Sequence, residues 1–400
     1  MKPQTVKSKR PNLRHLEGFL IIVNTGTVAE AARQMNLSQP AVSLGIRALE
    51  RALGCSLFQR RKTGMYPTEE GTTFYRRSSG AFNRFAAVVT ERSGIDQNPM
   101  RRITTSQLRA LMAVAEQGSF VLAADREGLA TPTLHRAARD LERILGVALF
   151  ERTSYGVKPT RVAAELARQA RLFFYEIEQG VAEIAALGEG GEERCVIGAM
   201  PLARSHLVPT AVEVLVREHP SFRVSIVGAP YHDLTAGLRD GRIDFLVGAL
   251  RGTDLPADIE EDHLFDDPLS LLMRPNHPLA GEVALREDQL AAYPWIVSSP
   301  PTPLRARFEA LFQDSPVPQD LIECNALGAS RVMLMESDRL MLLSDAEARY
   351  EREAGHLVSK PLPGGQVKRP IGLTIRCEWR PTPLQGKLVE KIRYLAHAYG

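Results

Sequence analysis

Along residues 27–60, apolar positions recur at helical spacing and are interrupted by short polar turns. Thr27 precedes a helical run to Met35 that carries Ala31 and Ala32, small enough to let a second helix cross closely. A turn at Asn36-Leu37-Ser38 follows. Ser38 stands where a cap is needed, and Pro40 falls in the first turn of the next helix, where a missing N–H does no harm. Val42, Ile46, Leu49 and Leu53 then form one apolar stripe, which Gly54 ends. The other face shows Gln39, Ser43, Arg47 and Arg51. A short apolar strand at Leu57-Phe58 leads into Gln59-Arg60-Arg61-Lys62, a Gly64 turn and Tyr66-Pro67-Thr68, which predicts a charged β-hairpin.

The same pattern returns 92 positions later. Residues 16–68 and 108–160 align without a gap, with 18 of 53 positions identical, so the unit is duplicated. In the second copy Ser119 begins the first helix and Thr131-Pro132 the second, and Leu134, Ala138, Leu141 and Leu145 form its stripe. Its polar face shows Thr133, His135, Arg136 and Arg139, and its hairpin runs Leu149-Phe150-Glu151-Arg152 to Gly156 and Lys158-Pro159-Thr160. Each copy reads as a helix-turn-helix followed by a wing. Short polar groups and arginines on the second helix suit base edges and phosphates, and arginine at the base of a wing suits a phosphate in the flanking groove.

Charge supports a polyanionic partner for this half only. Residues 1–170 carry 26 Lys and Arg against 14 Asp and Glu, whereas the rest carries 24 against 33. With 44% hydrophobic residues, the chain has material for two or three folded domains. It has no run of 18 apolar residues, so no membrane span is expected. The basic first residues lack a secretory apolar stretch, and a cytoplasmic location is expected. The widely spaced Cys55, Cys195, Cys324 and Cys377 form no CxxC pair and read as buried free thiols. The nine histidines show no HExxH spacing, and GxSxG, P-loop and dinucleotide fingerprints are missing. No enzyme, cofactor, catalytic residue or metal site is expected.

The string Thr27–Arg60, with Thr68-Glu69-Glu70-Gly71 after the wing, resembles the winged helix-turn-helix of LysR-type transcription regulators, and Ser119–Arg152 is a looser match. The second copy departs from the pattern in Ala130-Thr131 for Ser38-Gln39, His135 for Ser43, and Ala163 where a glycine follows the first wing. The resemblance implies DNA contacts by Ser38, Gln39, Pro40, Ser43, Arg47, Arg60, Arg61 and Lys62. In the second copy it implies contacts by Thr131, Thr133, His135, Arg136, Arg139 and Arg152. Residues 161–186 look like the family's linker helix, broken at Gly188-Glu189-Gly190-Gly191.

From Arg194 the pattern turns to strand and helix: strands at 194–199, 223–227 and 243–248, with helices at 205–219 and 234–240 between them. This implies a parallel sheet. Leu269–Pro278 matches the family's crossover to a second subdomain and Tyr293–Ile296 a strand within it. The chain is expected to return near Leu362 and end on a helix at 384–397. The implied fold class is α/β, with N-terminal, mainly-α winged helix-turn-helix domains and a two-lobed effector part like a periplasmic binding protein. The implied domains are residues 1–95, 100–190 and 191–400. Ligands in such sheets sit beyond strand carboxyl ends, near helix N-termini. That points to Pro201, Leu202, Arg204 and Ser205 on one side and Ser298, Ser299 and Thr302 on the other, holding an anionic or hydroxylated small molecule. Expected partners are double-stranded operator DNA, this effector, RNA polymerase and further copies of the chain, as homodimer or homotetramer. Two other readings stand beside this one: a solute-binding protein, and a regulator in which one helix-turn-helix copy serves protein interaction.

Residues 70–92 form a second helical stretch, with Phe74, Phe82, Phe85, Val88 and Val89 in need of a partner surface. The linker helix offers Leu166, Leu172 and Phe173. Pairing of these helices within one chain would make the two copies a pseudo-dimer spanning two half-sites. The alternative is pairing of linker helices between chains, with the first copy outward.

Overall fold

The structure, a computed structural model, describes residues 11–61, 64–94, 99–188, 191–252, 255–313, 316–365 and 367–397. The chain divides into two compact units, Met1–Glu193 and Arg194–Gly400.

The first unit holds both copies. Helices α1 (Leu13–Thr25), α2 (Val28–Met35) and α3 (Gln39–Leu53) lead to hairpin strands β1 (Phe58–Arg61) and β2 (Gly64–Pro67), then helix α4 (Glu69–Arg92). After a 3-10 turn at Pro99–Arg102 the series repeats as α5 (Thr105–Gln117), α6 (Phe120–Glu127), α7 (Thr131–Leu145), β3 (Phe150–Thr153), β4 (Gly156–Pro159) and α8 (Arg161–Ala186). The expected caps are present. Thr27, Ser38 and Ser119 each accept a backbone N–H, and Gly54 and Gly146 close α3 and α7 in the left-handed region. Ala130 leaves α7 without a side-chain cap. Both stripes are buried, Leu53 only in part.

Several of the residues shared by the copies build this scaffold. Glu50 accepts from the Leu57 N–H at 2.9 Å and Glu142 from Leu149 at 2.8 Å, fixing the start of each wing. Thr68 donates to the Ser56 carbonyl and Thr160 to that of Ala148, tying each wing to the long helix behind it. Each hairpin also hangs on its first helix: Met65 N–H donates to Gly26 and Val157 N–H to Gly118, both at 2.9 Å. The turn glycines lie so close to those carbonyls that a Cβ would sit 2.8 Å from Gly26 O at Gly64 and 2.6 Å from Gly118 O at Gly156.

The long helices pack on each other within the chain, antiparallel. Phe74 lies at Gly180, Arg77 at Glu176 and Glu183, and Phe82 and Phe85 at Phe173. Phe74, Phe85, Val89, Leu166 and Phe173 are buried, and one core runs through both copies. This is the intrachain pairing of the two alternatives. The stripe also buries a charge: the Arg77 side chain is 4% exposed, with Glu176 at 3.2 Å and Glu183 at 3.1 Å. Burial works against that charge, but the hydrogen bonds and charges of Glu183 and Glu176 outweigh it and raise the guanidinium pKa.

The second unit is two lobes on one long strand. β5 (Arg194–Ala199), a π turn at Ala203–Leu207, α9 (Val208–Glu218), β6 (Arg223–Val227), α10 (Tyr231–Arg239) and β7 (Phe245–Ala249) form the first lobe, with β6 and β7 parallel to β5. The expected helix at 205–219 therefore opens earlier and wider. Pro209, which has no N–H to donate, lies just after the π turn gives way to α9. β8 (Ile259–Met273) leaves this lobe and enters the second. There it is joined by α11 (Glu287–Ala291), β9 (Trp295–Val297), α12 (Pro303–Leu311), β10 (Leu321–Glu323), α13 (Leu327–Met335), β11 (Leu340–Ser344), α14 (Arg349–Glu353) and β12 (Val358–Pro361). β13 (Lys368–Arg376) returns between β7 and β8, and α15 (Pro383–Ala396) packs on α9. All four cysteines are free, but burial holds for Cys195 alone: Cys55 and Cys324 are half-buried and Cys377 is exposed, because it follows the end of β13.

Candidate nucleic-acid interface and effector cleft

In the first copy α3 and the wing form an open groove lined by Gln39, Pro40, Ser43, Arg47 and Arg60. Helix geometry puts 39, 43 and 47 on one face, and β1 brings Arg60 to its side. Ser38 is spent as the cap of α3, its Oγ accepting from Ala41 N–H at 3.3 Å. Arg61 projects from the wing with its guanidinium over Tyr66, 5.3 Å from the ring centre. Lys62 lies outside the described residues. Leu44, 58% exposed on the same helix, lies off the apolar stripe and was not singled out from the sequence.

The second copy keeps the arginines and changes the middle of the groove. Thr133, Arg136, Arg139 and Arg152 are exposed, and Thr131 half-exposed. His135, in the place of Ser43, stacks on Phe120 with ring centres 3.8 Å apart.

In the second unit, Arg204 lies across Gly228 just beyond β6: a Cβ there would fall 1.6 Å from its Nη1. Arg204 is thus at the carboxyl ends of β5 and β6. Leu202 is buried in the core beneath, Pro201 is exposed, and the Ser205 hydroxyl donates to the Leu202 carbonyl at 2.8 Å. Across the second lobe Thr302 caps α12, accepting from Arg305 N–H, and Ser299 N–H donates to Asn325 Oδ1 at 3.1 Å. Ser298 is half-buried at the end of β9.

The neighbours of the 201–206 segment come from the stretch after β11, which sequence reasoning did not mark. His206 Nδ1 and Tyr350 OH are 3.0 Å apart, and Arg204 acts on the Glu347 charge. Glu347 belongs to a buried cluster where β8 passes between lobes. Asp267 accepts from Ser344 Oγ at 2.6 Å and Arg369 Nε at 2.8 Å, and Arg369 reaches within 4.0 Å of Glu347. Burial drives the Glu347 carboxyl up to about 7 against the pull of Arg369, and raises Asp267 as well. Among the described residues no helix is long and apolar enough to cross a membrane, and no group of side chains could hold a metal ion.

The comparisons agree with this architecture. The pattern described as bacterial regulatory helix-turn-helix protein, lysR family, matches twice, over residues 13–72 and 105–164, and the LysR substrate binding domain matches 188–395. The HTH-type transcriptional regulator GalR of Pseudomonas putida is 27% identical over 96% of this chain and 97% of its own length. The SDS degradation transcriptional activation protein of a Pseudomonas strain is 32% identical over 66% of this chain and 86% of its own. Among solved structures, a full-length OxyR variant from Pseudomonas aeruginosa shares the fold at a TM-score of 0.56 and 24% identity, covering 73% of this chain and 98% of its own. CbnR, solved with its target DNA, gives 0.50 at 20%, covering 72% and 98%. With two matching DNA-binding units and a matching substrate-binding domain over more than half its length, the chain belongs to the LysR family of bacterial helix-turn-helix transcription regulators.

Proposed function

We propose that this regulator reads its operator chiefly through the first copy. Gln39, Pro40 and Ser43 meet base edges, with Ser38 setting the helix start, while Arg47, Arg60, Arg61 and Lys62 hold phosphates. The observation that carries this is the open groove shared by α3 and the wing, in which short polar groups lie between two arginines. The second copy adds Thr131, Thr133, His135, Arg136, Arg139 and Arg152 to the DNA surface. A small anionic or hydroxylated effector binds the other unit between Pro201, Leu202, Arg204 and Ser205 and the turn Ser298, Ser299 and Thr302. Arg204 supplies the cationic partner and the hydroxyls supply orientation. Its binding shifts the relative tilt of the lobes, and α8 carries that change to the DNA-binding copies. Assembly as a homodimer or homotetramer and contact with RNA polymerase belong to the same reading.

The test is selection of binding sites from random-sequence DNA by the full chain. An enriched sequence is expected, and Ser43→Trp should flatten its information content. Failure to enrich any sequence, or an unchanged motif from the variant, would overturn the assignment.

A further inference from the structure

The pairing of α4 with α8 has a polarity that repeat symmetry does not require. A shift of 92 places each helix on the other, and an antiparallel pair of equivalent helices has an approximate twofold axis. The polar residues break that symmetry. The counterpart of Arg77 on α8 is Gln169, while those of Glu176 and Glu183 on α4 are Arg84 and Glu91. Two α8 helices pairing in this register would set Glu176 and Glu183 against Gln169, stripped of the cation they now share. Two α4 helices would set Arg77 against Arg84 and Glu91. Sterics disfavour the α4–α4 pair: Gly180 passes so near α4 that a Cβ would lie 3.2 Å from Arg77 Cβ and from the Phe74 ring, and its counterpart on α4 is Val88. Only α4 against α8 gives the buried arginine two carboxylates and the close approach a glycine. A buried charged group used in this way specifies register and partner rather than adding stability.

The partner helices come from one chain. The described residues on either side of the connection are tied down: Gly94 N–H donates to the Leu145 carbonyl at 2.8 Å, Arg101 Nε to Glu17 at 2.9 Å, and Thr105 Oγ1 to the Pro11 carbonyl at 2.9 Å. Such a tether makes pairing intramolecular, at an effective concentration a second chain cannot match.

The two heads so joined are unlike. Arg47 and Arg60 recur as Arg139 and Arg152, so both heads keep their phosphate grips. On the exposed face of the second helix Thr131 replaces Gln39 and Arg136 replaces Leu44, and the place of Ser43 is filled by His135 packed flat on Phe120, itself a replacement for Val28. On the wing Thr153 replaces Arg61. We infer that each chain carries a complete, self-paired DNA-binding unit, held by α4 against α8, that recognises two unlike half-sites in duplex DNA. The half-site clause rests on the DNA reading proposed above; the self-pairing does not.

Two measurements on the full chain decide it. A photoreactive benzoylphenylalanine in place of Phe82, which lies 6.4 Å from Phe173 between ring centres, should join α8 on irradiation. The expected product has the mass of one chain under denaturing conditions, with the cross-link mapped to residues 166–180. The same substitution at Val88 guards against a local packing fault. Product at twice the chain mass from both positions would overturn self-pairing. In the sites selected from random DNA, each unit should show two different half-sites. An inverted repeat of one half-site about a single unit would overturn the unlike-heads clause. Failure to enrich any sequence would instead sink the DNA-reading function and that clause with it, leaving the cross-link to decide the pairing.

Discussion

Replacing Arg77 by methionine isolates the charge at the heart of the helix pair. Its side chain is 4% exposed, and those of Glu176 and Glu183 are 10% and 17% exposed, so the variant leaves two carboxylates facing each other in a poorly solvated site. Removing one member of a buried ion pair costs about 3–5 kcal/mol, whereas replacing the whole set by apolar residues is close to neutral. The single variant should therefore lose that much, and Arg77→Met with Glu176→Met and Glu183→Met should recover most of it, methionine being adaptable enough to fill the gap. Because the chain has two units, a single global melting curve does not isolate the effect. Hydrogen exchange of α4 and α8 amides in the intact protein does. The loss should speed exchange there by about two to three and a half orders of magnitude while leaving amides of β5 and β7 unchanged. Less than a tenfold change in the single variant, or a triple variant no better than the single one, would refute the reasoning.

The remaining predictions address other parts of the chain. Arg61→Ala should weaken binding to selected and random DNA about equally and lower the salt slope by about one, as measured by fluorescence anisotropy across salt concentrations; a loss confined to the selected site would contradict a phosphate role. Gly64→Ala should destabilise the first head by about 1–3 kcal/mol, read from its exchange protection, because φ is +145° and the added Cβ would meet Gly26 O. Glu347, raised from 4.5 to about 7, holds its proton more tightly in the folded state than in the unfolded one. Its contribution is present below about pH 4.5 and is lost as pH climbs toward 7, by up to about 3 kcal/mol. Asp267, also raised, has the same sign. Glu347→Gln should flatten the fall in the second unit's melting temperature between pH 5 and 8, and an unaltered slope would refute this. Small carboxylates or polyols that raise the melting temperature of the parent should fail to do so for Ser298→Ala, Thr302→Ala; an equal rise in both would remove those residues from the site. Lost capping by Thr302 should itself cost that variant about 1 kcal/mol.

The DNA-binding half was legible because duplication printed its scaffold twice. Glu50 and Glu142 accept the N–H that opens each wing, and a Cβ at Gly64 or Gly156 would crowd a carbonyl of the first helix, so both copies use the same residues at these positions. Ser43 and His135 changed because the scaffold does not need them. Helix pairing could be anticipated from the phenylalanines of α4, but the charge within it could not: one of four arginines in a 24-residue helix reads as a solvated side chain. The hint was its place on the buried stripe, one turn from Phe74 and one from Ala81. In the first lobe local periodicity placed strands and helices to within a few residues, whereas in the second lobe only the crossover and the Trp295 strand were marked, by resemblance, and α11 to α14, β10, β11 and β12 were not. The π turn stayed hidden, since a change of hydrogen-bond offset leaves no pattern of apolar positions. So did the cluster of Asp267, Ser344, Glu347 and Arg369, whose members are brought together by β8, β11 and β13 from segments up to about a hundred residues apart.

The closure of α4 upon α8 inside one chain also bears on dosage. Where two separate chains must meet before a pair of heads exists, the number of complete readers in a cell falls with the square of the protein's abundance. Here that step is finished when the chain folds, and the count of head pairs follows copy number in simple proportion. On the two-headed reading inferred above, a cell holding very few molecules would keep each of them equipped to search DNA, and a mutation that retunes one head would alter one half of the address without imposing the same change on the other.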